Sequence, residues 1–270
     1  MRIPFTKAHG AKNDFLLTWE AKAPPEHLAA IAEAICNRHS GVGADGWLLV
    51  RPGETGENGS HGGIRLFNPD GGEVEISGNG TRCAAAFLIE NQLATGQVDI
   101  ATGAGLKHLQ LLARDGPKFV FEMDMGLPQV APGDLQFSLP LGEGHTPVTI
   151  LDVGNPQCAV FVEHFDFDWR TMGRAIEWHP HFPKRTNVSF IKVIDRHTLD
   201  VRFFERGAGE TFSSGTGSTG AFAAAKLRGL VDDEVSVQTP AGPLKLNWKQ
   251  SIFLVGPAEL IADGDFLFHP

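Results

Sequence analysis

Ile64-Arg65-Leu66-Phe67-Asn68-Pro69-Asp70-Gly71-Gly72-Glu73-Val74-Glu75-Ile76-Ser77-Gly78-Asn79-Gly80 decides the reading of this chain, because the pattern occurs twice. Moving from position 64 to position 201, Val201-Arg202-Phe203-Phe204 is followed by Glu205-Arg206-Gly207-Ala208-Gly209-Glu210-Thr211-Phe212-Ser213-Ser214-Gly215-Thr216-Gly217. Both stretches read Ile/Val-Arg-Leu/Phe-Phe, then four residues, then Gly-Glu, three residues, and Ser-Gly-x-Gly, with no gap. An Ala- and Phe-rich segment follows each copy. Ungapped similarity at an offset of about half the chain marks a duplication. It predicts two similar lobes related by a pseudo-twofold axis, with the copies facing each other across one small-molecule site.

Each copy reads as strand, Gly-flanked turn, and a helix opened by Ser-Gly-x-Gly. A helix N-terminus offers unpaired N–H groups and the positive end of its dipole, so it suits a carboxylate. Ser77 and Ser214 stand where the chain enters the helix. They are open to two readings: N-caps, a role serine commonly fills, or groups on opposite faces of a bound ligand. Inverting a carbon centre needs the second arrangement, with one group removing a proton and the other delivering one. Serine handles protons poorly beside a thiol, whose pKa is about 8.5 and is lowered at helix N-termini.

Outward from the repeat, short apolar runs bounded by Gly, Pro, Asp or Asn read as strands: Phe15–Trp19, Trp47–Val50, Phe119–Met123, Val148–Val153, Ala159–Val162, Val188–Val193 and Ile252–Val255. Helical spacing appears at Pro25–Arg38, with Leu28, Ile31 and Ile35 on one stripe, and at Gly80–Asn91, Asp168–Trp178 and Gly217–Leu227, where Gly229 suits a C-cap. The fold class is therefore α+β: mostly antiparallel sheet curled around a central helix in each lobe. The lobe boundary is expected near Arg114–Lys118. That gives residues 1–115, completed by a last strand near 257–270, and residues 116–256, with the cleft between them.

A formal charge of −9 argues against nucleic-acid or anionic-membrane partners. No apolar run approaches the ~18 residues of a membrane span, and the N-terminus lacks a signal-peptide pattern. Cys36, Cys83 and Cys158 show no framework spacing and read as free thiols. The expectation is a soluble cytoplasmic protein. The histidines form no HxxH or HExxH and the cysteines no CxxC, which leaves no case for a metal. Gly41–Gly46 lacks the register of a phosphate loop, and Gly-x-Ser-x-Gly is absent, against an α/β-hydrolase.

At the repeated residues the chain resembles the diaminopimelate epimerase family, cofactor-independent amino-acid epimerases, over essentially its whole length. His9-Gly10-Ala11-Lys12-Asn13-Asp14-Phe15 is similar to HGxGNDF, and Arg38–Gly46 to RHxGVGADG. Phe67–Cys83 is similar to FNxDGSExxxCGNGxRC, Gly154-Asn155-Pro156-Gln157 to GNPH, and Glu205–Gly217 to ERGxGETxxCGTG. Asn187 falls in VNVxF, and Gly256-Pro257-Ala258 matches the closing GPA. The resemblance implies that Asn13, Asn68, Asn155, Asn187 and Arg206 bind the two ends of an amino acid. It also implies that Gly78-Asn79 and Gly215-Thr216 hold its α-carboxylate, and that Glu205 positions or activates an acid/base group. From the residues alone, Asn13, Asn68 and Asn187 would read as turn or capping residues.

The departures from the family fall on the proton-handling positions. Serine stands at 77 and 214 where the family carries cysteine, Gln157 stands where histidine is usual, and Lys12 where glycine is common. Cys83 should point into helix packing and does not replace the thiols. The resemblance implies an isomerase without PLP or other cofactor, acting on diaminopimelate from its LL to its meso form in the lysine and peptidoglycan precursor pathway, and a possible homodimer. Two alternatives accompany it: a catalytically silent amino-acid-binding homologue, and a one-base isomerase or lyase with Glu205 or Lys12 as base.

Overall fold

The computed structural model describes residues 1–53 and 60–269. It divides into two units, Met1–Asp124 with Val255–Pro270, and Met125–Leu254. The architecture is α+β, and the same series of strand pairings builds each unit.

In the first unit, Arg2–Gly10 pairs antiparallel with Asn13–Trp19, which runs parallel to Gly46–Pro52. Helix α1, Leu28–Cys36, makes that parallel crossover. Gly46–Pro52 then pairs antiparallel with Gly62–Phe67, which folds back on the short Glu73–Val74 and runs parallel to Gln97–Thr102 across helix α2, Gly78–Glu90. Gly105–Asp115 and Lys118–Gly126 continue antiparallel, and the last strand, Ile252–Leu267, pairs antiparallel with Arg2–Gly10.

The second unit repeats the order. Gly144–Asp152 is antiparallel to Pro156–Phe161, which is parallel to Asn187–Asp195 across helix α3, Trp169–Glu177. Asn187–Asp195 is antiparallel to Thr198–Glu205, which folds back on Gly209–Thr211. Thr198–Glu205 runs parallel to Glu234–Gln238 across helix α4, Gly215–Leu227, and Leu244–Trp248 closes the series antiparallel.

In each unit the sheet curls around its second helix. Every residue of α2 from Gly78 to Ile89 is buried, as is every residue of α4 from Gly215 to Ala225. A helix enclosed all round must be narrow, and this explains the Ala84–Ala86 and Ala223–Ala225 runs. It also explains Gly217, where an added Cβ would lie 2.7 Å from the Phe203 ring. The outer helices bury one face each: Ile31 and Ile35 of α1 pack with Ile3, Trp47 and Phe67, and Trp169 and Ile176 of α3 with Val148, Val160 and Phe190.

The helices expected from spacing are present with shifted ends: α1 and α3 are shorter than expected, and α2 and α4 start earlier. Pro25–His27 is a separate 3-10 turn ahead of α1, and α2 and α4 begin two residues earlier than expected, at the residue after each serine. Gly229 follows α4 with φ +72°, its N–H bonded to the Lys226 carbonyl, as a helix-terminating glycine does. Residues 207–209 make the expected tight turn, with φ +77° at Gly207 and +75° at Gly209. Lys12 explains why glycine is common at its position: the turn between the first two strands holds it at φ +62°, after Ala11 at +51°. Among the described residues no helix is long and apolar enough to cross a membrane.

Candidate active site

The β-to-helix turns place both serines as N-caps. Ser77 accepts a hydrogen bond from the Gly80 N–H at 3.2 Å, and Ser214 from the Gly217 N–H at 3.0 Å. Backbone angles agree within about ten degrees (φ −128°, ψ 123° and φ −136°, ψ 125°), so the duplicated sequence yields duplicated local geometry. The capping reading is thus met in both copies.

Ser214 does more than cap. Its hydroxyl donates to Glu205 Oε1 at 2.6 Å, and Thr211 Oγ1 donates to Glu205 Oε2, also at 2.6 Å. Two hydroxyls therefore hold one carboxylate, one on each oxygen. The Gly207–Gly209 turn makes this possible by folding Gly209–Thr211 back beside the strand that carries Glu205. Ser214 is 2% exposed, whereas Ser77 is half-buried and has a backbone N–H as its hydrogen-bond partner. At the position equivalent to Glu205 the first unit carries Asn68. It sits in a turn whose N–H bonds the Gly72 carbonyl at 2.8 Å.

The other expected residues of the second unit form two linked groups. Gln157 Nε2 donates to Asn155 Oδ1 at 2.7 Å, and Asn155 Nδ2 donates to Thr216 Oγ1 at 3.3 Å, in the first turn of α4 beside Gly215. Asn187 Nδ2 donates to the Pro156 carbonyl at 3.0 Å while its Oδ1 accepts the Arg206 N–H at 3.0 Å. Arg206 Nη1 also reaches the Lys184 carbonyl at 3.2 Å. Gln157 is 2% exposed, and its Oε1 has no hydrogen-bond partner among the described residues. A buried acceptor left so costs about 1–3 kcal/mol. An amide at this position keeps a hydrogen-bonding role and gives up a titratable one.

In the first unit, Asn13 and Asn79 are directly bonded: Asn79 Nδ2 donates to Asn13 Oδ1 at 3.1 Å, and Asn13 Nδ2 to Asp45 Oδ2 at 2.7 Å. Asp45 and Asp14 share Arg38, at 2.7 Å to each, and Lys7 lies 3.0 Å from Asp14. Burial pushes against ionisation of Asp14, but the Arg38 and Lys7 hydrogen bonds and charges outweigh it and hold its carboxyl below the usual range. Burial, then the charge of Asp14, raises Asp45. A groove of about 700 Å³ in this unit, lined by Phe5, Leu17, Trp19, Phe87 and Arg114, contains none of the expected site residues. Thr211, Asp45 and Arg82, which holds Asn79, were not singled out by sequence, although each lies inside a quoted motif.

The three cysteines are buried and free. Burial pushes the Cys36 and Cys83 thiols up to about 12, and Cys158 higher still. None is a candidate acid/base group at neutral pH.

Solved structures similar to this chain share the fold. A hydroxyproline epimerase from Agrobacterium vitis superposes with a TM-score of 0.77 at 15% identity, covering 100% of this chain and 94% of its own. A PhzF-family phenazine biosynthesis protein from Bacillus anthracis gives 0.68 at 17% identity, covering 99% and 100%. Sequence relatives are closer. Diaminopimelate epimerase of Pelotomaculum thermopropionicum is 37% identical over 281 residues, covering 98% of this chain and 99% of its own. Diaminopimelate epimerase 1 of Nostoc sp. is 38% identical over 284 residues with the same coverage. With duplicated units and a helix N-terminus in each, the protein is an isomerase of the amino-acid epimerase class. The chain belongs to the diaminopimelate epimerase family, whose model matches residues 5–131 and 149–261.

Proposed function

We propose that this protein epimerises diaminopimelate at one α-carbon, LL to meso, without PLP, using Ser214 with Glu205 on one face and Ser77 on the other. The observation that carries the reading is the 2.6 Å hydrogen bond from Ser214 to the Glu205 carboxylate at the mouth of α4. A hydroxyl whose proton already points at a carboxylate can pass it there as its oxygen takes the α-proton. The electron pair left on carbon moves into the substrate's α-carboxylate, and the Ser77 hydroxyl delivers a proton from the opposite face. Gly78-Asn79 and Gly215-Thr216 would hold the α-carboxylate at the helix N-termini. Asn13, Asn68, Asn155, Asn187 and Arg206 would fix the remaining amino and carboxylate groups, with Gln157 supporting Asn155. Because a hydroxyl is a much weaker acid than a thiol, turnover on this reading is slow.

The asymmetry between the serines favours one further reading. Ser214 has a carboxylate partner and Ser77 a backbone N–H, so the Ser214 face could work alone as a one-base exchange.

The test is α-deuterium incorporation in heavy water, with LL- and meso-diaminopimelate and a panel of other amino acids. Exchange with inversion, confined to diaminopimelate, supports the proposal. Exchange with retention supports the one-base reading. Tight binding without exchange would mean a catalytically silent binding protein.

A further inference from the structure

Arg82 lies within α2 at zero exposure, a depth at which arginine is rarely found without an acidic partner. Its Nε donates to the Pro257 carbonyl at 3.1 Å, its Nη1 to the Gly78 carbonyl at 3.3 Å, and its Nη2 to Asn79 Oδ1. All three acceptors are neutral, and among the described residues no carboxylate contacts the guanidinium. Burial lowers its pKa to about 10, which leaves the cation intact at neutral pH.

The seat is built for this side chain. A Cβ on Gly256 would come within 2.7 Å of Arg82 Cζ, so the guanidinium lies against bare backbone. The closing Gly256-Pro257 thus supplies both the space and an acceptor. Helix side chains lean toward the N-terminus, and the bond to Gly78 sets the charge beside the first turn of α2. There, as at any helix start, the first N–H groups point out of the helix end rather than into its own hydrogen-bond ladder.

Two further observations separate this charge from ordinary helix building. The equivalent position in α4 is Thr219, whose Oγ1 bonds the Gly215 carbonyl at 2.8 Å, the counterpart of the Arg82–Gly78 bond. The helix can therefore be built without a cation. Arg82 also heads a run of donors, through Asn79 and Asn13 to Asp45. Along that run Lys7, Arg38 and Arg82 stand against Asp14 and Asp45, one positive charge in excess. A buried, unpaired charge is costly, and an anion at the first turn would balance it.

We infer that Arg82 is an electrostatic positioning residue for the substrate's α-carboxylate at the N-terminus of α2. This inference rests on the reading given under Proposed function. Arg82 adds a full charge to the partial charge of the helix end. Proton removal from the α-carbon drives further negative charge onto that carboxylate, so a fixed cation favours the transition state over the bound substrate.

The test compares wild type, Arg82→Met and Arg82→Lys. It measures calorimetric binding of diaminopimelate, binding of its analogue with a carboxamide at the reacting carbon, and α-proton exchange. Arg82→Met should weaken diaminopimelate binding about tenfold and slow exchange about a hundredfold, on the order of losing one oxyanion donor. Carboxamide binding should stay within about twofold, and Arg82→Lys should recover most of the loss. Equal loss for both ligands, or no loss, overturns the inference. Should Arg82→Met not fold, the wild type's preference for carboxylate over carboxamide carries the test: about tenfold or more is expected, and parity overturns it. Failure of the wild type to bind diaminopimelate would sink the functional reading and this role together. Wild-type binding left unchanged in Arg82→Met sinks only the role of Arg82.

Discussion

Replacing each serine by alanine separates a cap from a working hydroxyl. Both variants lose the hydrogen bond to the helix N–H, at 3.2 Å for Ser77 and 3.0 Å for Ser214, and a lost serine cap costs about 1 kcal/mol. Ser77→Ala should cost that and little more. Ser214→Ala also strips Glu205 Oε1 of a donor at 2.6 Å. Hydrogen bonds to charged groups contribute about 1.5–3 kcal/mol, and the partly exposed carboxylate puts this one near the lower end. The expected total is about 2.5 kcal/mol, roughly 1.5 more than for Ser77. Urea denaturation with unchanged slope measures both values. A cycle with Glu205→Gln should return a coupling of about 1 kcal/mol or more between positions 205 and 214. Equal costs for the two serines, or no coupling to Glu205, would refute the claim that Ser214 is engaged by its carboxylate.

Other outcomes follow from the same contacts. Thr211→Val should lower the exchange rate about tenfold at unchanged KM, because it removes a hydroxyl donor from Glu205 Oε2 without touching substrate; Thr211→Ser should restore it. Lys12→Gly should stabilise the fold by about 1 kcal/mol in urea melts by removing a left-handed side chain. Asp14 is held below its ordinary value, so it stabilises the fold above its unfolded pKa of about 3.9, and that contribution is lost as pH falls through the lower folded value. Asp14→Asn should flatten the acid limb of stability against pH, and an unchanged limb would contradict this; the raised Asp45 works in the opposite sense. The thiol reagent DTNB should label none of the three buried cysteines in the folded protein and leave exchange activity intact, while all three react after unfolding.

Sequence revealed the parts of the fold that rest on local pattern. The duplicated strand-turn-helix unit was legible because Gly72, Ser77, Gly78 and Gly80 recur at the same spacing as Gly209, Ser214, Gly215 and Gly217, and the structure builds both alike. Other strands left little trace. Arg2–Gly10 buries Ile3, Ala8 and Gly10 among charged and polar neighbours, and Gly105–Asp115 buries Lys107 and Leu109, so neither shows an apolar run. The Thr211–Glu205–Ser214 arrangement depends on a hairpin fold-back that brings residues six and nine positions apart onto one carboxylate. Arg82 was hidden for another reason. A charged residue in a helix reads as solvent-facing, and only the strand carrying Gly256-Pro257 shows that this one is enclosed.

The most direct test of the central claim, that the serines occupy an epimerase's acid/base positions, is the rate of LL-to-meso diaminopimelate epimerisation before and after the paired substitution Ser77→Cys with Ser214→Cys. A thiol at a helix N-terminus ionises far more readily than a hydroxyl, so the account predicts a rise of about a hundredfold or more. A folded double variant that binds diaminopimelate and epimerises it no faster than the wild type would contradict it.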